Sequence, residues 1–331
     1  MIISRTPFRI SFLGGGTDYP NWYKEHGGCV ISTTINKYSF VTVRYLPPFF
    51  DYKYRIRYFA HEETQTLNEI KHPSVRECAK YLQIKKGFEI VHNADLPAQS
   101  GLGSSSTFTV GLLNALYSLK NCMPTKKELA LDAIHVEQNL IGEYVGSQDQ
   151  TAAAFGGLNK ISFNSMNDIE VDPIILPSER RYALQENLML FFTGFSRNAS
   201  DLAKVQIEAT CNNENKLNTI VEICNEGLSV LIDTKQPIDN FGKLLGEQWK
   251  VKRELTDKIS NNEIDSIYEA GLSAGALGGK LLGAGGGGFI LFYVKKNKQN
   301  KVRSALKRLL YIPFSFEFTG SKIIYYSRSD K

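Results

Sequence analysis

The segment Pro97-Ala98-Gln99-Ser100-Gly101-Leu102-Gly103-Ser104-Ser105-Ser106-Thr107 runs straight into the apolar stretch Phe108 to Leu119. A glycine- and serine-rich loop that opens into a helix constrains everything around it. The first N–H groups of a helix have no internal partner and point outward at the positive end of the macrodipole. An anion fits there, and Gly101 and Gly103 let the backbone approach it closely. The hydroxyls of Ser104, Ser105 and Ser106 add donors and a ligand for a phosphate-bound Mg2+. The ligand this implies is a nucleotide phosphate. Two common phosphate motifs do not match: Ser104 stands where a Walker A loop has Lys, and Ser106 where the dinucleotide fingerprint has its third glycine. A loop that only caps a helix is the plainer account of the same residues, because Ser and Gly are ordinary helix-start residues.

A chain of 331 residues with 42% apolar content has room for two domains and a full-sized core. It contains no run of 18 apolar residues, so no membrane span is expected. Met1 to Pro7 lacks the charged and apolar regions of a secretory signal. The five cysteines are scattered without CxxC spacing, which predicts neither a disulfide framework nor a zinc site. The expected setting is a reduced cytoplasm. The net charge of +5 carries no long basic run, which argues against nucleic-acid binding and suits a ligand with several phosphates. The five histidines show no HxxxH pair, so a metal held by protein ligands alone is not expected.

Strands are predicted at Ile2 to Phe12, Ser39 to Tyr45 and Phe88 to Asn93, where β-branched and aromatic residues cluster. Lys126 to Ile141 reads as one amphipathic helix, with Leu129, Ala133, Val136 and Leu140 at helical spacing and Thr125 as its N-cap. A strand-loop-strand unit is predicted over Phe155 to Phe163, followed by a polar connection. The second half begins with a strand, Leu188 to Thr193. Helices follow at Ala199 to Thr210, Leu217 to Ile232 and Asp239 to Thr256. The run Gly278-Gly279-Lys280-Leu281-Leu282-Gly283-Ala284-Gly285-Gly286-Gly287-Gly288 then enters a strand, Phe289 to Val294, and a helix at Lys301 to Leu310 precedes a last strand around Ser315 to Tyr325. Four glycines in a row cost chain entropy, so either another segment or a ligand must come close to that backbone.

Three segments together resemble the GHMP kinases, the superfamily of galactokinase, homoserine kinase and mevalonate kinase. They are Thr6-Pro7-Phe8-Arg9-Ile10-Ser11-Phe12-Leu13-Gly14-Gly15-Gly16-Thr17-Asp18-Tyr19, the Pro97 to Thr107 loop, and Lys280 to Phe289, in the family's order. The resemblance spans essentially the whole chain. Its closest subgroup is the D-glycero-D-manno-heptose 7-phosphate kinases, on Gly14 to Pro20 and on Phe192-Thr193-Gly194-Phe195-Ser196-Arg197-Asn198-Ala199-Ser200. Gly15-Gly16 replaces the Glu-His pair of galactokinases, which argues against galactose and leaves room near the sugar; fucokinases share a similar start.

The resemblance implies an α+β fold: an N-terminal domain like the second domain of ribosomal protein S5, over residues 1–180, and a ferredoxin-like C-terminal domain, over 181–331. The site would lie in the cleft between them. ATP's phosphates would sit on Gly101, Leu102, Gly103, Ser104, Ser105, Ser106 and Thr107. Ser105, with Ser104 as the alternative, and Glu137 would hold Mg2+; outside the family an exposed helix carboxylate is the plainer account of Glu137. Asp149, in Gly146-Ser147-Gln148-Asp149-Gln150, would accept the proton of the attacking hydroxyl. A carboxylate is a weak base toward an alcohol, so positioning is the larger contribution. Arg9 would hold Asp149 ionised and neutralise the transferring phosphoryl group. Asp18, with Thr17, Gly15, Gly16, Gly285 and Gly286, would shape the sugar site. A distal phosphate needs a second anion pocket, for which Arg197 is the first candidate, with Lys204, Ser196, Ser200 and Lys37 behind it.

The expected activity is therefore ATP- and Mg2+-dependent phosphorylation of the anomeric hydroxyl of D-glycero-D-manno-heptose 7-phosphate to the 1,7-bisphosphate, feeding nucleotide-activated heptose for polysaccharide. The alternatives are a kinase of another sugar, such as L-fucose or a mannose-like sugar, and a silent ATP- and sugar-binding sensor. The partners expected are ATP and a small sugar phosphate, with no nucleic acid and no membrane; a homodimer stays open.

Overall fold

The computed structural model describes residues 1–98, 100–164, 168–194, 199–210 and 213–327. Two strands organise the first half. β1 (Ile2–Leu13) and β2 (Gly28–Tyr45) pair antiparallel along almost their whole length, from Ile2 opposite Val43 to Leu13 opposite Ile31. β2 is far longer than the stretch predicted from Ser39, because Val30, Ile31, Thr33, Thr34 and Ile35 continue its β-branched pattern. The helix α1 (Pro20–His26) sits in the connection between them. The hairpin strands β3 (Tyr54–Arg57) and β4 (His61–Thr64), the helix α2 (Pro73–Tyr81) and β5 (Phe88–Ala94) come next. β5 pairs with the second half of β2 and, in parallel, with β3.

The helix α3 (Ser104–Leu119) lies behind the serine loop and packs on β1 and β2. It starts four residues before the predicted Phe108, so the three serines form its first turn. α4 (Lys126–His135) has Thr125 as N-cap, and Thr125 and Glu128 bond each other's backbone N–H in a capping box. The predicted continuous helix to Ile141 instead widens into a π turn over Val136–Ile141. α5 (Gln148–Phe155) ends at Gly156 where the predicted strand-loop-strand unit begins; that range holds one strand, β6 (Leu158–Phe163), and β7 (Ile169–Pro173) follows. The run Ala152-Ala153-Ala154 favours a helix here.

After α6 (Ser178–Glu186), β8 (Leu188–Phe192) opens a second sheet. The helices α7 (Ala199–Glu208), α8 (Glu214–Ile232), α9 (Asp239–Arg253) and α10 (Asn262–Ser273) precede β9 (Gly278–Leu281) and β10 (Phe289–Tyr293). α11 (Gln299–Ala305) and β11 (Leu310–Ile312) complete this unit. The sheet order is β11-β8-β10-β9, all antiparallel. That is the ferredoxin-like order expected. The chain then returns to the first sheet. β12 (Phe316–Glu317) pairs with β2 between its β6 and β5 partners, and β13 (Lys322–Tyr326) pairs with β1. A division at residue 180 would therefore separate these last strands from the sheet they complete.

The two sheets share a core. Phe12, Leu13 and Ile31 of the first are buried with Leu190, Phe289 and Leu291 of the second and Phe241 of α9. Phe12 meets Phe241 edge-on at 5.5 Å between ring centroids. Each such fully buried aromatic contributes roughly 1.5–3 kcal/mol. This contact fixes the cleft walls relative to one another.

Candidate active site

The site grows from a ladder irregularity. The β1–β2 register shifts between Pro7 and Arg9, a place where a strand re-aims its side chains. The Arg9 N–H bonds the Leu102 carbonyl at 3.3 Å, tying β1 to the serine loop. The Arg9 side chain is 3% exposed. Its Nε and Nη2 donate to Asp149 Oδ1 and Oδ2 at 2.7 and 2.8 Å, and its Nη1 donates to the Gly101 carbonyl at 2.8 Å. Asp149 stands in the first turn of α5, where the helix dipole favours a negative charge. One guanidinium thus fixes the carboxylate and the serine loop together.

These groups border a cavity of about 340 Å3. Its wall includes Arg9, Gly16, Asp18, Tyr19, Gly101, Gly103, Ser104, Ser105, Ser106, Asp149, Lys252 and Gly283. His72, Phe108, Tyr144 and Ala203 also line it. A larger open depression of about 1180 Å3 lies at the α9–α10 turn around Arg253 and Asp265 and contains none of this chemistry.

Glu137 is fully buried on the π turn. Ser106 Oγ donates to its Oε2 at 2.7 Å, and Gln150 Nε2 donates to the same oxygen. Its Oε1 has no hydrogen-bond partner. Burial pushes the Glu137 carboxyl up to about 7; the Ser106 hydrogen bond opposes this and the charge of Glu143 adds to it. The widened turn buries both Val136 and Glu137, continuing the face on which α4 buries Leu129 with Ala130 and Ala133 with Ile134. Such π turns concentrate at functional sites. The hydroxyl that meets Glu137 is Ser106's; Ser105 is exposed on the cavity wall.

Asp18 is also fully buried, and its Oδ1 accepts the Gly16 N–H at 3.0 Å. Burial raises its pKa; the Gly16 N–H opposes this, and the Asp149 charge adds to the rise. Gly146 packs against it so tightly that a Cβ there would stand 1.8 Å from Asp18 Oδ2. Lys252, in the last turn of α9, donates from Nζ to the Gly283 carbonyl at 2.8 Å. Burial pushes it down to about 8, opposed by Asp18 and reinforced by Arg9.

Several expected residues stand elsewhere. Leu102 and Thr107 turn into the core, because the helix start needs apolar and small groups on its inner side. Thr17 Oγ1 donates to the Gly14 and Cys29 carbonyls at 2.8 and 3.1 Å, so it braces the glycine turn and does not reach the cavity. Gly15 packs on Ser11 and Gln148, leaving Gly16 to face the cavity. Gly285 and Gly286 pack against the backbone of Ile259, and the cavity wall comes from Gly283 and Ala284. Arg197 and Ser196, and the side chain of Ser200, lie outside the described residues. Lys204 of α7 is exposed and stands over the Tyr144 ring at the cavity rim, 5.5 Å from its centroid.

Lys252 and Tyr19 went unread in the sequence. The signal for Lys252 was present: it follows Gln248 and Trp249 at helical spacing, on the face of α9 that also buries Leu245. A lysine on the apolar face of a helix is unusual.

Residues 72–157 match the family model of the GHMP kinases N terminal domain and residues 228–312 that of the GHMP kinases C terminal domain. The chain is 28% identical to the D-glycero-alpha-D-manno-heptose 7-phosphate kinase of Campylobacter jejuni, over 97% of this chain and 98% of that protein. It is 27% identical to the galactokinase of Pyrococcus furiosus, over 96% of this chain and 95% of that one. Its fold superposes on a D-glycero-D-manno-heptose 1-phosphate kinase of Bacteroides thetaiotaomicron with a TM-score of 0.80, at 24% identity, covering 99% and 100% of the two chains. Among the described residues no helix is long and apolar enough to cross a membrane.

Proposed function

Because this chain belongs to the GHMP kinase family of ATP-dependent phosphotransferases, we propose that it phosphorylates the anomeric hydroxyl of D-glycero-D-manno-heptose 7-phosphate, giving the 1,7-bisphosphate for nucleotide-activated heptose. The observation that carries the chemistry is the Arg9–Asp149 pair, joined to the Gly101 carbonyl and facing the same cavity as Asp18. The observation that favours a heptose phosphate is full-length similarity to a heptose 7-phosphate kinase.

In this reading the triphosphate lies on Gly101, Gly103 and the serines at the α3 N-terminus, where the first-turn N–H groups point outward and the dipole is positive. Asp18 binds sugar hydroxyls. Asp149 accepts the proton of the attacking hydroxyl as the bond from the γ-phosphorus to ADP breaks and the bond to the sugar oxygen forms. Arg9 offsets the negative charge there, and alignment supplies most of the acceleration.

Glu137 and Ser106 fit Mg2+ shared with ATP. They offer hard oxygen donors, and Glu137 Oε1 is a buried carboxylate oxygen without a partner. Among the described residues no group of three or more His, Cys, Asp or Glu gathers, which suits an ion completed by phosphate oxygens. Mg2+ there would neutralise phosphate charge. For the distal phosphate, Arg197 remains the sequence candidate, and Lys204 is the described cation at the cavity rim.

The test is ADP release with ATP and Mg2+ over D-glycero-D-manno-heptose 7-phosphate, unphosphorylated heptose, L-fucose, galactose and mannose 6-phosphate. At least tenfold higher kcat/KM for the heptose phosphate is expected. Preference for a neutral sugar would remove the heptose assignment and the distal anion pocket. The similarity to a galactokinase over 96% of the chain makes a neutral sugar the second reading.

A further inference from the structure

We propose that Lys252 is a catalytic residue: its ammonium, carried in from α9, contacts the phosphoryl group as it passes from ATP to the acceptor hydroxyl. The proposal rests on the kinase reading above and adds a second cation to Arg9.

Placement comes first. Lys252 is 5% exposed and lines the same cavity as Arg9, Asp18 and Asp149. Its Nζ bonds the Gly283 carbonyl at 2.8 Å. Gly283 abuts the phosphate loop: a Cβ on it would stand 2.5 Å from Gly101 Cα. The ammonium is therefore held at the seam of the loop and the glycine turn, on the cavity wall it shares with Asp18 and Asp149.

Donor count points the same way. Three N–H groups of Arg9 are engaged by Asp149 and Gly101. An ammonium has three donors, and the Gly283 carbonyl takes one of those on Lys252. The facing charges are Asp18 and Asp149 against Arg9, with Lys280 of β9 behind. An arriving phosphoryl group is the anion this arrangement accepts.

Lys280 supplies the contrast. It is equally buried, but its Nζ donates to the Phe12 carbonyl at 2.8 Å and it is not on the cavity wall. Holding a carbonyl does not need a charge, and burying an ammonium is costly. At Lys252 the charge itself faces the reaction. In the transfer Lys252 neither gains nor loses a proton: the phosphorus–oxygen bond to ADP breaks, the bond to the acceptor oxygen forms, and the hydroxyl proton goes to Asp149.

The experiment measures kcat and KM from pH 6 to 10 for the wild type, Lys252→Gln and Lys252→Arg, with thermal unfolding as a folding control. The acceptor is the best substrate of the panel above. If the panel yields none, the substrate assignment fails by itself, and slow hydrolysis of ATP to ADP and phosphate is read by the same criteria. Lys252→Gln keeps a donor for Gly283 and should lose about a hundredfold in kcat, with KM for both substrates within about threefold. The wild-type rate should fall above pH 8, because burial holds this ammonium down to about 8. Lys252→Arg should recover about tenfold over Gln and move that fall to higher pH. A Gln variant within about threefold of wild-type kcat, or an alkaline fall unchanged in the Arg variant, would overturn the proposal. Should the Gln variant not fold, the Arg pH profile decides alone.

Discussion

Arg9 and Asp149, 140 positions apart in the chain, are joined by two parallel N–H···O bonds of 2.7 and 2.8 Å. This fork sets direction as well as charge, and a lysine cannot reproduce it. Asp149→Asn should lower kcat by about 10^2–10^4. It should also destabilise the fold, because it leaves the buried Arg9 guanidinium without its counter-charge. ADP release and the thermal midpoint check both. An Asn variant with near wild-type kcat would remove Asp149 as the base.

Ser106 donates to Glu137 at 2.7 Å, whereas Ser105 faces the cavity from an exposed position. If the Ser106–Glu137 pair helps hold Mg2+, Ser106→Ala should raise the Mg2+ concentration for half-maximal rate by about tenfold, and Ser105→Ala by less, since a hydrogen bond to a charged group is worth about 1.5–3 kcal/mol. Titration of Mg2+ at saturating ATP decides the order. The reverse order would place the ion on Ser105.

The burial of Glu137 has a price in stability that depends on pH. Its folded pKa, about 7, lies above its ordinary 4.5. Between those values the folded chain holds the proton more tightly than the unfolded chain. Stability is therefore lost as pH rises through that window, by about 3 kcal/mol in all. In the absence of ATP and Mg2+, Glu137→Gln should be more stable than wild type at pH 8 and nearly equal to it at pH 5, while losing activity. Urea midpoints at the two pH values test this; a pH-independent difference would contradict it.

Gly101 has a φ of +83°, and a Cβ there would stand 2.4 Å from the Leu282 carbonyl oxygen. The obstacle is backbone, so it cannot swing aside. Gly101→Ala should push the phosphate loop off the glycine turn, cost about 1–3 kcal/mol of stability and weaken ATP binding. Calorimetric ATP titration and the thermal midpoint measure the two effects; unchanged values for both would mean that the loop and turn are not mechanically joined.

Much of the site was legible because its chemistry is written locally. The serines belong to one helix start, Arg9 and Asp18 to one strand-and-turn segment, and Asp149 to a short motif. Thr125 announced its own cap. What escaped was set by packing. The helical stripe read through Val136 and Leu140 leaves out Glu137, whereas the π turn buries Glu137 and exposes Leu140, and α5 forms ahead of the predicted strand unit, its alanines packed against α3, α4 and the first sheet. Gly285 and Gly286 were expected at the sugar but meet Ile259, since only contact with the α9–α10 turn could tell which glycines of the run face outward.

The sequence by itself determined the serine-rich helix start, the order of the three glycine-bearing segments and the fold family, because these depend on backbone conformations and helix starts that nearby residues dictate. The tertiary structure decided which hydroxyl meets Glu137, which glycines line the cavity, and that Lys252 enters it. Each of those depends on side chains far apart in the chain sharing one low-dielectric space. There burial and facing charges, and not residue type, set what a group can do.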